Sequence, residues 1–551
     1  TAGSIVGRGS APVPVDDSGC GDQIPGVDRV SGMAPGAKIV TNNIFVDGHG
    51  DVSAMMAWGV RRGAQISSNS WGLLGRTGPE VGYSAAAARA DAAVRDADPD
   101  QPGDQPLTVF FSAGNTGPDN QTVTSPGTAK NVITVGATEN ARCGAWVPAH
   151  QAGPDVESVL ITSGRGPSQG RVKPDVVAPG SDVLSLESGD DYAVQPWDQS
   201  WTGSGLALNT GTSQACAVAA GAGTVLHEAL WRTRGRRPSP ALLKATIAIG
   251  AEPGPAGVDA DRGWGRVDIG AAAAGLRAGK LSLLDQSETA ELSTGERWND
   301  EIVVRSASEP LVIAVVWTDV PGEEDAEHPL VNDLDVVLTD PAGTVFRGNA
   351  FSGIWSEADP GTVRDGVNNV EIVRVRNPVV GSWTLEVVGV DVPLAPPGLG
   401  GQDFAVATIG DAGPCGAPPP APEAVQVTAE GPNRIRVDWS AVPDASRYEI
   451  SRALKAGGRP YEPIGTVPAA DTSFVDSTAS GGVEYFYVVR AERLCWSAYS
   501  AEDSATATGP CLMPPVFDGL AAADGQAVTG CDVRLRWSPA EGACPDPVVY
   551  D

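Results

Sequence analysis

From Cys216 to Ala222 the chain reads Cys-Ala-Val-Ala-Ala-Gly-Ala, with no side chain larger than valine. A helix that small and apolar has no polar face to show to water, so it must be buried on most sides. Burial of that kind needs a sheet or further helices around it, which points to a layered fold.

Residues 1 to about 285 supply the layers. Ala37 to Asn42, Gln65 to Asn69, Leu107 to Ser112 and Val132 to Gly136 read as buried parallel strands, and Ser84 to Arg95 is Ala-rich and helical. Pro238-Ser239-Pro240 then admits a helix over Ala241 to Gly250. Apolar strands alternating with helices predict an α/β domain, a parallel sheet covered by helices on both faces. From 286 the helices vanish. Leu311 to Trp317, Leu334 to Leu338, Val370 to Val375 and Trp383 to Val388 are short strands between turns, which predicts an all-β sandwich or jelly roll over 286–412. A Pro-rich linker follows at 413–422, with Pro418-Pro419-Pro420-Ala421-Pro422 stiff and extended. Over 423–510, Arg434 to Trp439, Tyr448 to Ile450 and Tyr485 to Val489 alternate with period two. Residues 511–551 open a second copy, since Gly509-Pro510-Cys511 repeats Gly413-Pro414-Cys415.

Ser213, in Asn209-Thr210-Gly211-Thr212-Ser213-Gln214-Ala215, stands at the start of the small-residue helix. There the helix dipole and its unpaired N–H groups favour developing negative charge. Asn115 ends an apolar strand in Phe111-Ser112-Ala113-Gly114-Asn115 and offers a side-chain NH2 for the same oxygen. A serine nucleophile with two oxyanion donors is the equipment of acyl transfer. The plainer alternative is a helix-capping serine and a turn asparagine.

Gly-Thr-Ser-x-Ala, Ser-Ala-Gly-Asn, Gly32-Met33-Ala34-Pro35-Gly36-Ala37 and Lys173-Pro174-Asp175-Val176-Val177-Ala178-Pro179-Gly180 resemble, in order, the motifs of subtilisin-like serine proteases, the subtilases. Ser125-Pro126-Gly127-Thr128-Ala129-Lys130-Asn131, Gly263-Trp264-Gly265-Arg266-Val267 and Leu330-Val331-Asn332-Asp333-Leu334-Asp335 resemble the oxidatively stable alkaline proteases, which carry a C-terminal β-barrel. The Trp, Tyr and Tyr-x-Tyr layout after the linker resembles a fibronectin type III module. The resemblance implies a subtilisin-like sheet over 1–285 lacking its N-terminal part, Ser213 as nucleophile and Asn115 as oxyanion donor. It also implies that Asn69, Ser70, Trp71 and Gly72 pair with an extended substrate, and that Ser112, Ala113 and Gly114 wall the pocket for the residue before the scissile bond.

Two departures stand out. After Ser213 the family has Pro where this chain has Ala217, which alters helix packing without removing a catalytic group. More important, subtilases use Asp, His and Ser in chain order, and none of His49, His150, His227 and His328 lies in a matching His motif. Thr1 to Gly7 resembles the helix that follows that motif. The expectation is an internal piece of a longer protein, nearly inactive as it stands, whose Asp and His precede residue 1. The competing class is a noncatalytic binding or adhesion protein that keeps the fold and has lost its triad.

A net charge of −30 disfavours nucleic acid as a partner, and no run of about 18 apolar residues marks a membrane span. The expected partners are protein or peptide substrates, with surface or partner binding through the β-modules. Of eight cysteines, Cys415, Cys495, Cys511, Cys531 and Cys544 fall in the last quarter. That pattern points to disulfides, an oxidising compartment and a secreted, extracellular protein. Cys531 with Cys544, and Cys495 with Cys511 or Cys415, are the pairings considered. Cys216 reads as a small buried hydrophobe. The chemistry needs no cofactor. Asp333, Asp335 and Asp365, with Asn368 and Glu371, put hard oxygen ligands near strand ends and allow a structural calcium site; solvated loops are the alternative.

Overall fold

The computed structural model describes residues 2–7, 31–42, 51–75, 78–140, 155–186, 199–201, 206–414, 418–493, 496–512, 520–523 and 535–537. The chain divides into two compact units, Thr1–Pro414 and Cys415–Asp551.

The first unit is built on four parallel strands: β1 (Ile66–Asn69), β2 (Thr108–Ser112), β3 (Ile133–Thr138) and β4 (Val176–Pro179), ordered as numbered. Its helices are α1 (Ala2–Val6), α2 (Val52–Val60), α3 (Ala85–Arg95), α4 (Thr212–Arg234), α5 (Pro240–Gly250) and α6 (Ile269–Ala278). Side chains of a strand alternate between faces, and here the alternation decides which layer each meets. Phe110, Ile133 and Val135 pack on α4 and α5, whereas Val109, Phe111 and Val132 pack on α2 and α3. The sheet is therefore covered on both faces. Ser84 caps α3 through the Ala87 N–H, and Ser239 caps α5 through the Leu242 N–H, with Pro240 in its first turn.

The small residues of α4 are explained by what presses on it. A Cβ on Gly223 would lie 2.7 Å from Phe110 Cζ, and one on Gly221 would lie 2.7 Å from Met33 Cβ. Residues 37–42, read from sequence as a buried strand, form none. Ile39 and Val40 remain 43% and 41% exposed. No described strand runs beside them, and an apolar segment without a partner has no ladder to join. Along the chain between β4 and α4, β5 (Val183–Leu186), β6 (Gln199–Trp201) and β7 (Leu206–Asn209) form a small antiparallel sheet whose last strand leads into α4.

The all-β part begins at β8 (Leu281–Leu284), just before the boundary at 285 read from sequence. It continues through β9 (Arg297–Val304), β10 (Leu311–Val316), β11 (Asp333–Thr339), β12 (Val345–Arg347), the two-residue pair β13 (Phe351–Ser352) and β14 (Trp355–Ser356), β15 (Val370–Val375), β16 (Gly381–Asp391), β17 (Ala405–Ile409) and β18 (Ala412–Pro414). One sheet has the order β15-β10-β17-β8 and the other β12-β11-β16-β9-β18. Ile313, Val315, Trp317, Leu334, Leu338, Trp383 and Leu385 fill the space between them.

The outer face of the first sheet is apolar too. Val312, Ala314, Val316, Ile372 and Ala405 pack on Ala241, Leu242, Ala245, Ala248 and Ile249 of α5. Beside this contact, Lys130 Nζ donates to Asp319 Oδ2 at 2.6 Å and to the Val320 and Pro329 carbonyls at 2.7 Å each. Asn131 donates to the Asp319 carbonyl and accepts from the Asp319 N–H and the Asn369 amide. Arg95 forks onto Asp403. The Asp319 carboxylate also accepts from the Val331 and Asn332 N–H groups. The segments around Lys130 and Asn332 thus meet through one buried carboxylate. A second buried cluster braces the parallel sheet, where Asp175 takes Lys173 on Oδ2 at 2.5 Å and Lys244 on Oδ1 at 2.8 Å.

The second unit has a three-stranded sheet (Gln426–Gly431, Arg434–Asp438, Ser473–Asp476) and a four-stranded one (Glu462–Pro468, Arg447–Ala453, Glu484–Glu492, Asp503–Thr506). Trp439, Tyr448, Tyr485 and Tyr487 lie in their shared core. The buried hydroxyls are all satisfied: Tyr448 accepts from Val442 N–H, Tyr485 from Ser480 N–H, and Tyr487 donates to Asp476. Cys511 is disulfide-bonded. Cys20, Cys143, Cys415, Cys495, Cys531 and Cys544 lie outside the described residues, so the Cys531–Cys544 reading falls there as well. Beyond 512, Leu520–Ala523 pairs with Leu535–Trp537.

Candidate active site

Ser213 is the second residue of α4, where an N–H has no acceptor within the helix. The approach to it is tight. Gly211 has φ 145°, and a Cβ there would lie 3.3 Å from both Nδ2 and Oδ1 of Asn115. Gly211 N–H is held by the Gly180 carbonyl at 2.8 Å, which ties the start of α4 to the segment leaving β4. The Ser213 carbonyl accepts from Ser70 Oγ at 2.9 Å.

Asn115 reaches the same point from the end of β2. Its Oδ1 accepts from the Thr212 N–H at 2.9 Å and from Thr212 Oγ1 at 3.0 Å. Two donors on one oxygen settle which end of the amide is which. They leave the Asn115 NH2 as the end able to donate to an oxygen beside Ser213. Thr212 lay inside the motif read from sequence, yet nothing local in that motif shows that its role is to aim Asn115.

The residues read as substrate-binding divide by burial. Asn69 is buried, with Nδ2 donating to the Phe110 carbonyl at 3.0 Å and to Ser67 Oγ at 2.9 Å, so its side chain braces β1 against β2. Trp71 packs edge-on against Phe111 at 5.2 Å. Ser70 reaches α4 as described, and Gly72 is followed by Leu73, whose N–H donates to the Ser125 carbonyl. On the other side Ser112 and Ala113 are buried, Ala113 N–H donates to the Val135 carbonyl, and the Gly114 carbonyl accepts from Gly164 N–H. Ser70 to Gly72 and Ser112 to Asn115 therefore flank the start of α4 as two braced segments.

Among the described residues no hydrogen bond joins a histidine to Ser213. His227 is on α4, roughly 20 Å along the helix from Ser213. Burial first, and then Arg237, lower its pKa. His328 is exposed in a loop of the all-β part, and His49 and His150 lie outside the described residues. Cys216 is fully buried, with its sulfur 3.7 Å from the Asn69 carbonyl and 3.8 Å from Ser68 Oγ. Burial pushes its thiol up to about 12, which excludes a thiolate nucleophile near neutral pH.

Of the carboxylates read as calcium candidates, Asp333 and Asp335 lie at the start of β11 and Asp365 precedes β15. Asp365 accepts from the Asn349 and Asn368 amides, and Glu371 from the Val336 N–H. Asp333 Oδ1, Asp335 Oδ1 and Glu371 Oε1 are buried without a hydrogen-bond partner. Burial first, and then Asp335 and Asp365, push Asp333 up to about 7. Among the described residues no three acidic, cysteine or histidine side chains converge as a metal-holding group, and no helix is long and apolar enough to cross a membrane.

Residues 1–265 match the subtilase family, Peptidase_S8. Serine protease AprX of Bacillus subtilis is 39% identical over 116 residues, which covers 21% of this chain and 24% of AprX. Serine protease/ABC transporter B family protein tagA of Dictyostelium discoideum is 28% identical over 260 residues, covering 42% of this chain and 14% of tagA. The matches thus span under a quarter of either relative's length. A solved Fn3-like protein from Clostridium thermocellum is 29% identical with a TM-score of 0.16, covering 18% of this chain and all of that one. The chain carries a subtilisin-like domain, related to serine proteases, followed by all-β sheets.

Proposed function

We propose that the chain belongs to a secreted subtilisin-like endopeptidase that cleaves peptide bonds through an acyl-enzyme on Ser213. The observation that carries this reading is the double anchoring of Asn115 Oδ1 by Thr212 at the start of α4, which leaves the amide NH2 as the end able to donate. An oxygen held between that NH2 and the Ser213 N–H would have two fixed donors as its charge develops. An extended substrate lies between Ser70–Gly72 and Ser112–Gly114. Ser213 Oγ attacks the carbonyl carbon while a histidine takes the hydroxyl proton and returns it to the departing amine. Water then releases the acyl group by the same route. That histidine, and the aspartate orienting it, are contributed in this reading by residues outside 1–551. The disulfide at Cys511 supports an oxidising, extracellular setting. Structural calcium at Asp333, Asp335 and Asp365 is part of the proposal, supported by Asp333 Oδ1 and Asp335 Oδ1, which have no donor, while Asp365 is already bonded by the Asn349 and Asn368 amides; a rise in melting temperature on titrating calcium tests it.

The deciding experiment treats the natural protein containing this chain with a fluorophosphonate probe and compares it with Ser213→Ala. Labelling at Ser213 that is absent from the variant supports the peptidase. A folded, processed protein that takes no label supports the noncatalytic alternative, a subtilase-fold binding protein acting through its β-modules.

A further inference from the structure

Two segments singled out in the sequence, Ser125 to Asn131 and Leu330 to Asp335, take no part in the chemistry proposed at Ser213, yet the fold brings them to one carboxylate. Lys130 Nζ reaches Asp319 Oδ2 and the Pro329 carbonyl, while the Val331 and Asn332 N–H groups hold the same Asp319 side chain. Asn131, next in the chain, uses both ends of its amide. The NH2 donates to the Asp319 carbonyl at 2.7 Å and the Asp91 carbonyl at 3.1 Å, and Oδ1 accepts from the Asp319 N–H at 3.0 Å and the Asn369 amide at 2.9 Å. All but the Asp91 bond come from the sandwich. Lys130, Asn131, Asp319 and Asn369 are buried.

The segment that ends in Lys130 and Asn131 also braces the candidate active site. At its start the Ser125 carbonyl accepts from the Leu73 N–H at 2.8 Å, just past Gly72, and the preceding Thr124 N–H donates to the Ala113 carbonyl at 2.9 Å. In its middle Gly127 runs so close to β2 that a Cβ there would meet the Ser112 carbonyl oxygen at 3.1 Å. The Gly127 carbonyl accepts from Thr134 Oγ1 of β3 at 2.5 Å. Past Asn131 the chain enters β3, which pairs with β2 from Phe110 to Ser112 and takes the Ala113 N–H on the Val135 carbonyl. Asn115 follows Ala113 and Gly114 directly. Ser125 to Asn131 therefore join the sandwich to both segments that flank Ser213.

We infer that Asp319 and Asn369 of the sandwich, acting through Lys130 and Asn131, are positioning residues for catalysis: they fix where Asn115 and the Ser70–Gly72 segment stand relative to Ser213. The inference rests on the peptidase reading above and gives the sandwich a part in that reaction. Adhesion alone would not require this chemistry. The α5 contact already joins the two parts through apolar side chains, and a buried ion pair adds little net stability over apolar residues of similar volume. A hydrogen bond does what apolar packing does not, because it fixes both a distance and an angle. Catalysis needs that precision, since a misplacement of about 1 Å caused far from the chemistry can lower the rate about 100-fold.

The experiment measures kcat and KM on a peptide substrate with the natural protein, well below the melting transition of every variant. Circular dichroism confirms folding, and fluorophosphonate labelling counts active sites. Lys130→Met should lower kcat by about 10- to 100-fold with little change in KM. Asn369→Ala removes one amide from Asn131 and should give a smaller loss in the same direction; it carries the test if Lys130→Met does not fold. Arg95→Met breaks the pair with Asp403, which spans the same junction away from Ser125 to Asn131, and should leave kcat unchanged. In an Asn115→Ala background Lys130→Met should cost much less than it does alone, because the donor it positions is gone. Wild-type kcat in folded Lys130→Met or Asn369→Ala overturns the inference. So does a loss in Arg95→Met equal to that in Lys130→Met, or a full, independent loss in the Asn115→Ala background. In each of these cases the wild type still labels and cleaves, and the peptidase reading stands. A wild-type protein that neither labels nor cleaves overturns both.

Discussion

Replacing Lys130 by methionine removes the amine from the junction between the α/β part and the sandwich while keeping most of the side chain's volume. Lys130 and Asp319 are both fully buried, and the three protons of the amine go to Asp319 Oδ2 and the Val320 and Pro329 carbonyls. The variant would strip those carbonyls of a donor and leave the Asp319 charge supported only by the Val331 and Asn332 N–H groups. Breaking a buried pair by removing one partner is worth about 3–5 kcal/mol. At about 2 °C per kcal/mol for a large domain, the melting temperature should fall by roughly 6–10 °C. Differential scanning calorimetry of the whole chain reads it. The companion double variant, Lys130→Met with Asp319→Leu, removes the stranded charge and should recover part of the loss. A Lys130→Met transition within a degree of wild type would refute the reasoning, because an amine with three buried acceptors cannot be lost silently. A double variant worse than the single would refute the part of it that assigns the loss to the stranded carboxylate.

Asn115→Ala in the natural protein should lower kcat by about 100- to 1,000-fold with little change in KM, the magnitude being that known for a subtilisin oxyanion asparagine; kinetics on a peptide substrate read it. Thr212→Val, which removes one of the two donors holding Asn115 Oδ1, should give a smaller loss of kcat in the same direction, and unchanged kcat would show that the amide is aimed by something else. Burial alone would raise the pKa of Asp175, but Lys173 and Lys244 outweigh it and hold the carboxyl below its ordinary range. The stability from that low value is therefore fully present above the unfolded carboxyl pKa of about 3.9 and lost as pH falls through the folded value. Urea denaturation from pH 5 downward should show this loss in wild type and a flatter acid limb in Asp175→Asn. In the folded chain Cys216 should resist iodoacetamide at pH 8, and rapid alkylation followed by mass spectrometry would contradict its burial.

What could be read without coordinates was local. Ser84 before an alanine-rich run, Pro240 after a serine, and the small-residue run after Ser213 each carry their own helix signal, because capping and side-chain size act within a turn of the residue concerned. That the segments carrying Ser213 and Asn115 meet was also legible, since both stand in short motifs with a physical reading. Residues 37–42 show the limit, as their apolar pattern suited a strand while strand formation depends on a neighbour elsewhere in the chain. The resemblance grouped Asn69 with the residues whose backbone meets substrate, and only the fold shows its side chain turned inward between β1 and β2.

The amino-acid order by itself determined a parallel α/β layer followed by β-sheets, and a serine at the head of a buried helix. Tertiary structure alone decided the rest. Thr212 bonds Asn115 across 97 positions of chain, Lys130 meets Asp319 across 189, and the Thr124 side chain takes the space a Cβ would need at both Gly72 and Gly114. Each is a contact between distant segments, set by how the layers pack and by which atoms are left to satisfy one another, and no local pattern encodes that.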